Sequence, residues 1–263
     1  MSDDFNGVYA HGVEGIAHEL RQECLDEAKE LVSELDLCLD DFRHERIEAD
    51  ELLSKVSRTA LKLRVQAGNV GLRLLGTVAH RLEDFIVNAK ALPPGAADDL
   101  QVFIDRLEDI TDGRLALDSD AGQVVRDLPA KVGFSESDIE VRNIEVMLVM
   151  LHGTANHYVE RELQQCGYRV HTVTTTFEAL PMIVRTQPDF LIISAIMPEL
   201  DGIDLAIGLS AMPATRNIPL ALITSLDDSD EHLSYLPSNT SVIHKGPSFG
   251  DDLFKALDNH FLI

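Results

Sequence analysis

The sequence is poor in basic residues, and this shortage excludes one class of partner. Its 263 residues include 22 Lys and Arg against 45 Asp and Glu, which gives a formal net charge of -23 at pH 7. Binding to a phosphate backbone requires clustered positive charge, so direct nucleic-acid binding is not expected. A strongly acidic surface instead favours solubility and attracts basic partners.

Long apolar runs are also missing. No run reaches the roughly eighteen residues that a membrane-spanning helix needs. The N-terminus, Met1-Ser2-Asp3-Asp4, is acidic, whereas a signal peptide begins with basic residues and an apolar stretch. We therefore expect a soluble, cytoplasmic protein.

Cysteine is scarce, and its spacing does not indicate a metal site. The three cysteines are Cys24, Cys38 and Cys166, and an odd number of them suits a reducing compartment. Cys24 and Cys38 fall on an apolar helical stripe, where we expect them to be small core residues. The sequence therefore predicts no bound metal and no cofactor.

The first half of the chain has the 3.6-residue period of amphipathic helices. Four helices are predicted, over about 13–42, 48–67, 71 to Pro93-Pro94, and 96–112. Their short connections favour an up-and-down bundle over 1–112. The predicted core stripe of the first helix is Val13, Ile16, Ala17, Leu20, Cys24, Ala28, Leu31, Leu35, Cys38 and Phe42. Residues 113–142 have weak periodicity and are predicted to be a linker with room for one short helix.

Strands and helices alternate in the second half, 143–263, which favours a doubly wound parallel sheet. In such a sheet the working crevice lies at the carboxyl ends of the strands. Ser194 stands at one of these ends. The predicted strands are 145–149, 169–173, 189–193, 218–224 and 241–244, and the predicted helices are 155–166, 176–186, 203–212, 228–235 and 248–260.

The second half resembles the receiver domain of bacterial response regulators. Its markers are a Met-Pro-x-x-Asp-Gly loop at 197–202, Thr224 after the fourth strand, and Lys245 followed by Pro247. The resemblance implies a five-stranded flavodoxin-like sheet of order 2-1-3-4-5. It also implies phosphoryl transfer to an aspartate at the end of the third strand, with the help of magnesium.

The residues for that chemistry are missing. In the family pattern the acceptor aspartate stands four residues before the proline of the loop, and here that position is Ser194. The acidic pair that holds magnesium is replaced by Met150 and Leu151. We therefore expect a pseudo-receiver. Thr224 and Lys245 remain, and they leave open a small-anion or nucleotide site in the altered crevice.

The first half resembles histidine-phosphotransfer (HPt) domains over about 10–112. The similarity lies in LKLRVQAGNVGLRLLGTVAHRLEDFI, residues 61–86. In that family a His-x-x-Lys-Gly motif begins nineteen residues before the histidine of the next helix. Counting back from His80 places Leu61 at the acceptor position, Arg64 at the basic position and Val65 at the glycine position.

Helix geometry predicts where these replacements point. At about 100° per residue, Leu61 lies about 130° and Val65 about 170° from the centre of the apolar stripe of their helix. We therefore expect an exposed apolar pair. With Arg64 it forms a candidate docking surface, unless a neighbouring segment covers it. His80, which falls away from the apolar side of its own helix, is the alternative phosphoryl acceptor.

Three functions follow from these features. The first is a non-catalytic regulator that docks on a histidine kinase, a phosphotransferase or a response regulator. The second is an atypical phosphotransferase that uses a non-standard histidine such as His80, and the third is a sensor of a small anion or nucleotide. The sequence leaves open the partner, the pathway and whether the protein forms a homodimer.

Overall fold

The computed structural model describes residues 3–87, 92, 95–130, 143–227, 229–237 and 240–261, with side chains from residue 15 to residue 260. The chain divides into two compact units, Met1–Pro129 and Ala130–Ile263. Within the described ranges, every helix is too short or too polar to cross a membrane.

The first unit is a helical bundle. Its main helices are α1 (Asp3–Arg43), α2 (Ala49–Val70), α3 (Arg73–Ile86) and α4 (Ala96–Thr111). α1 runs antiparallel to α2, as two ion pairs between them show: Lys55 pairs with Glu34, and Lys62 pairs with Glu27. α2 ends at Gly71, whose φ of 74° lies in the left-handed region that favours glycine. The predicted stop at Pro93-Pro94 lies outside the described residues.

The predicted core stripe of α1 is correct only from Cys24 onward. Ile16 and Leu20 are exposed, whereas Ala28 and Leu35 are buried and Leu31, Cys38 and Phe42 are partly buried. The side chain of Val13 lies outside the described residues. Arg21 explains the change, since its Nε donates to the carbonyl of Val70, the last residue of α2. Because the two helices are antiparallel, α1 extends past the end of α2, which covers the stripe only up to this point.

The predicted linker is wrong over residues 113–129, which pack on the bundle. A short helix, α5 (Ala121–Arg126), begins at Asp120, whose carboxylate accepts hydrogen bonds from the amides of Gly122 and Gln123. Val124, Val125 and Leu128 are buried in the same core as the four main helices. Their burial extends the first unit from the predicted boundary at 112 to Pro129. Residues 131–142 lie outside the described residues.

The second unit contains a five-stranded parallel sheet of order β2-β1-β3-β4-β5, as predicted. Nearly every residue of β1, β2, β3 and β4 is buried, as expected for a sheet covered on both faces. The strands are β1 (Glu145–Val149), β2 (Arg169–Val173), β3 (Phe190–Ser194), β4 (Leu220–Thr224) and β5 (Thr240–His244). The helices are α6 (Thr154–Gln165), α7 (Thr176–Thr186), α8 (Gly202–Ala211) and α9 (Phe249–Phe261).

The predicted helix at 228–235 is the exception. The chain here forms a 3₁₀ turn over Glu231–Tyr235, begun by Asp230, whose carboxylate accepts a hydrogen bond from the amide of His232. None of the residues in the turn is buried. A surface helix is stabilised mainly by burying an apolar face, whereas here Leu233 and Leu236 are only partly buried against the core.

Candidate functional site

Ser194 ends β3 and is part of the core rather than an open acceptor. It is buried, and its hydroxyl donates to the carbonyl oxygen of Ile196 at 3.2 Å. Gly202, the first residue of α8, packs directly against this strand end. A Cβ atom on Gly202 would lie 1.9 Å from the carbonyl oxygen of Ser194. The glycine of the loop is therefore required by close packing of backbone on backbone.

The two positions of the missing acidic pair have different environments. Met150 is 4% exposed and belongs to the apolar core on one face of the sheet. Leu151 is 51% exposed. One replacement therefore extends the core, and the other places an apolar side chain in solvent at the end of β1.

Thr224 and Lys245 lie at the ends of neighbouring strands, as predicted. The amide of Lys245 donates to the carbonyl of Thr224 at 2.7 Å. The Thr224 side chain is buried, and its hydroxyl accepts a hydrogen bond from the amide of Leu226 at 3.0 Å. The Lys245 side chain is exposed. Thr224 thus stabilises the loop after β4, while Lys245 carries the charge at this end of the sheet.

The crevice lacks the donors of a metal centre. Over the described part of the chain, no group of three or more His, Cys, Asp or Glu side chains is placed to hold a metal ion. His152, which follows the missing acidic pair, is exposed. The side chains at Met150, Leu151 and Ser194 offer one hydroxyl and no carboxylate, which is a poor set for magnesium.

Leu61 and Val65 lie on the exposed face of α2, as the helical phase predicts. Leu61 is 45% exposed and Val65 is 53% exposed. Arg58 and Lys62 are exposed as well, and the spacing i, i+3, i+4, i+7 places all four residues on one side of the helix. We call Arg58, Leu61, Lys62 and Val65 the α2 face. It combines two apolar side chains with two cations.

Arg64, the third predicted docking residue, faces α3 instead. Its Nε lies 3.0 Å from Oε2 of Glu83, and both side chains are mostly buried. His80 lies beside the same carboxylate, with Nδ1 3.9 Å from Oε2. His80 and then Arg64 hold the pKa of Glu83 below its ordinary value, outweighing the burial that would raise it. These three side chains form a charged cluster on the seam between α2 and α3.

The prediction that His80 points away from the core is wrong, because only 9% of the residue is exposed. α3 packs against α2, α4 and α5, so little of its circumference remains open to solvent. The phase of α3 alone does not predict this burial, because it comes from the helices packed around α3.

Two exposed apolar side chains near the carboxyl ends of strands were not predicted. Phe177 lies in the first turn of α7, after β2, and Ile196 lies in the loop after β3. With Leu151 after β1 they occupy the carboxyl ends of three adjacent strands. The signal was present in the sequence, since Ile196 is a large aliphatic residue in a loop just past a strand end.

Comparison with known proteins finds similarities for both halves. The family model for the Hpt domain matches residues 19–113. The chain is 35% identical over 83 residues, 32% of its length, to the response regulator PleD of Caulobacter vibrioides. It is 31% identical over 78 residues, 30% of its length, to the response regulator MprA of Mycobacterium leprae. These matches span 18% of PleD and 33% of MprA.

Solved receiver structures are similar to part of the chain. One is the receiver domain of the sensor histidine kinase PA1611 from Pseudomonas aeruginosa, at 24% identity over 44% of this chain and 96% of that chain, with a TM-score of 0.40. Another is the chemotaxis response regulator CheY4 of Vibrio cholerae, at 20% identity over 45% of this chain and 98% of that chain, also with a TM-score of 0.40.

The chain therefore combines an Hpt domain with a half that is similar to response-regulator receivers. This is the domain content of a two-component signalling protein with a role in phosphorelay signalling.

Proposed function

We propose that the protein is a non-catalytic regulator of two-component signalling, which acts by docking on a histidine kinase, a phosphotransferase or a response regulator. It has no enzymatic activity of its own under this proposal. It works in the cytoplasm, where those partners carry their phosphoryl-transfer domains.

The α2 face is the observation that carries the proposal. The position equivalent to the reactive histidine holds Leu61, and the position of the glycine that leaves room for a partner holds Val65. Both side chains are exposed. Exposed apolar side chains set among polar ones mark protein contacts. A surface without a reactive group, but with apolar contact area, supports binding rather than transfer.

The state of the receiver half supports the same function. Ser194 and Met150 are buried, so neither position offers a carboxylate or an open hydroxyl to a phosphoryl donor. A serine hydroxyl without an adjacent base is a weak nucleophile.

The burial of His80 counts against the atypical phosphotransferase. Transfer needs a histidine nitrogen that a partner can approach, whereas His80 lies on the seam with Glu83 and Arg64. For the sensor, an exposed Lys245 and a buried Thr224 whose hydroxyl already accepts a hydrogen bond provide a weak anion site. We therefore favour the docking regulator over both.

Substituting the α2 face tests the proposal. Leu61→Asp or Val65→Asp should change the free energy of unfolding by no more than about 0.5 kcal/mol, because both positions are exposed. The same changes should abolish capture of signalling partners from an extract of the native cell, since an unpaired charge at an interface costs about 2–5 kcal/mol. Thermal melting by circular dichroism and affinity capture, each followed for every variant, measure the two effects.

Leu37→Asp is the matched control. Leu37 is an exposed leucine on α1, outside the α2 face, so this variant should both fold and retain its partners. If Leu61→Asp and Val65→Asp fold and still capture every kinase, phosphotransferase and response regulator, then the α2 face is not the docking surface. Stable incorporation of labelled phosphate from a captured kinase would contradict the non-catalytic part of the proposal.

A further inference from the structure

We propose that two copies of this chain form a closed dimer through the outer side of α7, with the two helices antiparallel. The inference goes beyond the proposed function, because it concerns a surface of the second unit and not the α2 face. Three observations carry it: an exposed apolar stripe, the symmetry of that stripe, and one acidic and one basic side chain placed beside it.

α7 (Thr176–Thr186) is apolar on two opposite sides. Its inner side packs on β1, β2 and α8, and Ala179, Met182 and Ile183 are buried there. Its outer side carries four apolar residues at the spacing i, i+3, i+4, i+7, which places them in one stripe. Three of the four are exposed, and Leu180 is partly buried. We call Phe177, Leu180, Pro181 and Val184 the α7 stripe.

The stability of α7 does not account for the α7 stripe. A surface helix normally turns polar residues towards solvent, whereas this helix turns an aromatic ring, a proline and a valine outward. Pro181 lies inside the helix, where proline removes a backbone hydrogen bond and is unfavourable. Contiguous exposed apolar side chains mark a contact with another molecule.

The α7 stripe is symmetric about the midpoint between Leu180 and Pro181. Phe177 and Val184 each lie about 5 Å from that point along the helix axis, in opposite directions. When a second α7 lies antiparallel across the stripe, Phe177 of one copy faces Val184 of its partner, and Leu180 faces Pro181 of its partner. A twofold dimer requires a surface that is complementary to itself, and the α7 stripe meets this requirement.

Glu178 and Arg185 flank the α7 stripe on the same side. They are seven residues apart, so their directions around the helix differ by only about 20°. Both side chains are partly exposed. In the antiparallel pair, Glu178 of each copy comes close to Arg185 of the other, and the symmetry repeats this pair. Opposite charges beside an apolar seam determine the partner and its orientation when two helices pair.

The charge of the whole chain also favours this surface for a contact between copies. Each copy has a net charge of -23, so two copies repel one another over much of their surface. α7 contains one acidic and one basic residue and is therefore neutral. A strongly basic partner finds no acidic surface on this helix, whereas a second copy finds complementary charges.

The small size of the contact sets its expected strength. The 11 residues of α7 extend about 16 Å, so one pair of helices buries less than the roughly 1,200–2,000 Å² of a stable interface. We therefore expect a weak dimer, with a dissociation constant between about 1 µM and about 1 mM. Because both copies use the same surface, association stops at the dimer.

Sedimentation velocity of the full chain, from about 1 µM to about 1 mM, tests the inference. The average mass should rise towards that of a dimer and no further. Phe177→Asp and Val184→Asp should each weaken dimerisation by at least about tenfold, because each places an unpaired charge in an apolar contact. Phe254→Asp is the matched control, since Phe254 is an exposed aromatic residue on α9, outside the α7 stripe.

Exchanging the two charges is the decisive arm. Glu178→Arg alone brings like positive charges together at both pairs, and Arg185→Glu alone brings like negative charges together. Each variant should therefore dimerise at least about fivefold more weakly than the wild type. In an equimolar mixture both pairs have opposite signs again, so a one-to-one dimer should form where each variant alone is monomeric. The chain that carries both substitutions should also dimerise with itself.

Circular dichroism melting establishes that each variant folds, and Phe177→Ser or Val184→Ser replaces an aspartate variant that does not. Three results would overturn the inference. They are a wild-type chain that stays monomeric to about 1 mM, a dimer that Phe254→Asp weakens as much as the stripe variants do, and charge variants whose mixture associates no better than either alone. All these variants leave the α2 face unaltered, so failure here leaves the proposed function standing.

Discussion

In each half, the position expected for the reactive residue holds another side chain, and the two positions have different surroundings. In the Hpt half, Leu61, at the position expected for the histidine, lies on the solvent side of a helix whose other side forms the core. In the receiver half, Ser194, at the position expected for the aspartate, lies at the buried end of a strand, against the backbone of Gly202. Leu61 therefore has few neighbours to fit, whereas Ser194 must fit the residues packed around it.

A substitution on an exposed helix and one at a buried strand end have different consequences. On an exposed helix, a new side chain alters what the surface binds and has little effect on stability. At a buried strand end, a new side chain must fit its neighbours, because interiors are packed as densely as organic crystals. The Hpt half is therefore the freer one to acquire a new contact, while the receiver half must first preserve its core.

The largest effect should come from Gly202→Ala. The added Cβ would lie 1.9 Å from the carbonyl oxygen of Ser194, so α8 must move away from β3. We expect a loss of about 3 kcal/mol or more in the free energy of unfolding, as for other severe overpacking. Gly208→Ala in the same helix is the control, since nothing lies within 4 Å of a Cβ there. A Gly202→Ala melt equal to that of Gly208→Ala would show that the strand end is not tightly packed.

Restoring the acidic pair one residue at a time should separate its two positions. Met150→Asp places a carboxylate in the core and should cost about 2–4 kcal/mol at neutral pH, whereas Leu151→Asp, at a half-exposed position, should cost no more than about 0.5 kcal/mol. Chemical denaturation of both variants measures the contrast. Equal costs would mean that Met150 reaches solvent in the folded protein.

Phosphorylation of Ser194→Asp sharpens the same contrast. This variant regains the acceptor but not the metal pair, so we expect no labelled product with acetyl phosphate as donor. Only the chain that also carries Met150→Asp and Leu151→Asp regains a ligand set of the kind that magnesium needs. Efficient labelling of the single variant would show that the metal ligands lie elsewhere.

In the Hpt half, Glu83→Gln should have a smaller and pH-dependent effect. His80 and Arg64 lower the pKa of Glu83 in the folded state, so its ionised form stabilises the fold above the pKa of the unfolded chain. We expect a cost of about 1 kcal/mol at pH 7. That contribution is lost as the pH falls through the lowered pKa, so the two melting curves should converge below about pH 4. A difference that persists unchanged at low pH would assign the effect to packing.

For magnesium and beryllium fluoride we expect no effect on the wild-type chain. Calorimetric titration of the wild-type chain with magnesium should give only background heat, and beryllium fluoride should leave its melting temperature unchanged. The reason is the loss of all three carboxylates at Met150, Leu151 and Ser194. Magnesium binding with a dissociation constant of about 1 mM or tighter would contradict this prediction, provided that substituting a crevice residue abolishes the binding.

Periodicity predicted most of the fold from the sequence. Parallel strands covered on both faces appear as short apolar runs, and the main helices appear as amphipathic stripes, because burial dictates both patterns. Periodicity failed to predict burial where a residue is covered by a segment that is distant in sequence. Val124, Val125 and Leu128 are too few to form a stripe, and only the groove they fill on the bundle reveals them as core. The helix predicted at 228–235 failed for the opposite reason, since no residue of the turn at Glu231–Tyr235 is fully buried.

The candidate site was predictable where one helix or one strand decides exposure. Leu61 and Val65 follow from the phase of α2 alone, and Ser194 follows from its place at the end of β3. His80 and Arg64 were misplaced because their surroundings come from neighbouring helices. Leu151, Phe177 and Ile196 follow three strands that are far apart in sequence, so their place at one edge of the sheet emerges only from the strand order.

The packing of α5 on the bundle has a consequence for how the chain folds during synthesis. Val124, Val125 and Leu128 complete the helical core, yet they follow the last main helix in the sequence and precede every strand. The bundle is therefore completed by the final segment of its own unit, before any of the parallel sheet has been made. Domains fold largely as units from the N-terminal end, and the helical half relies on contacts that form quickly. On the ribosome, the helical domain therefore closes before the parallel sheet, which folds more slowly, is complete. This order reduces the time during which the apolar cores of both units are exposed at once.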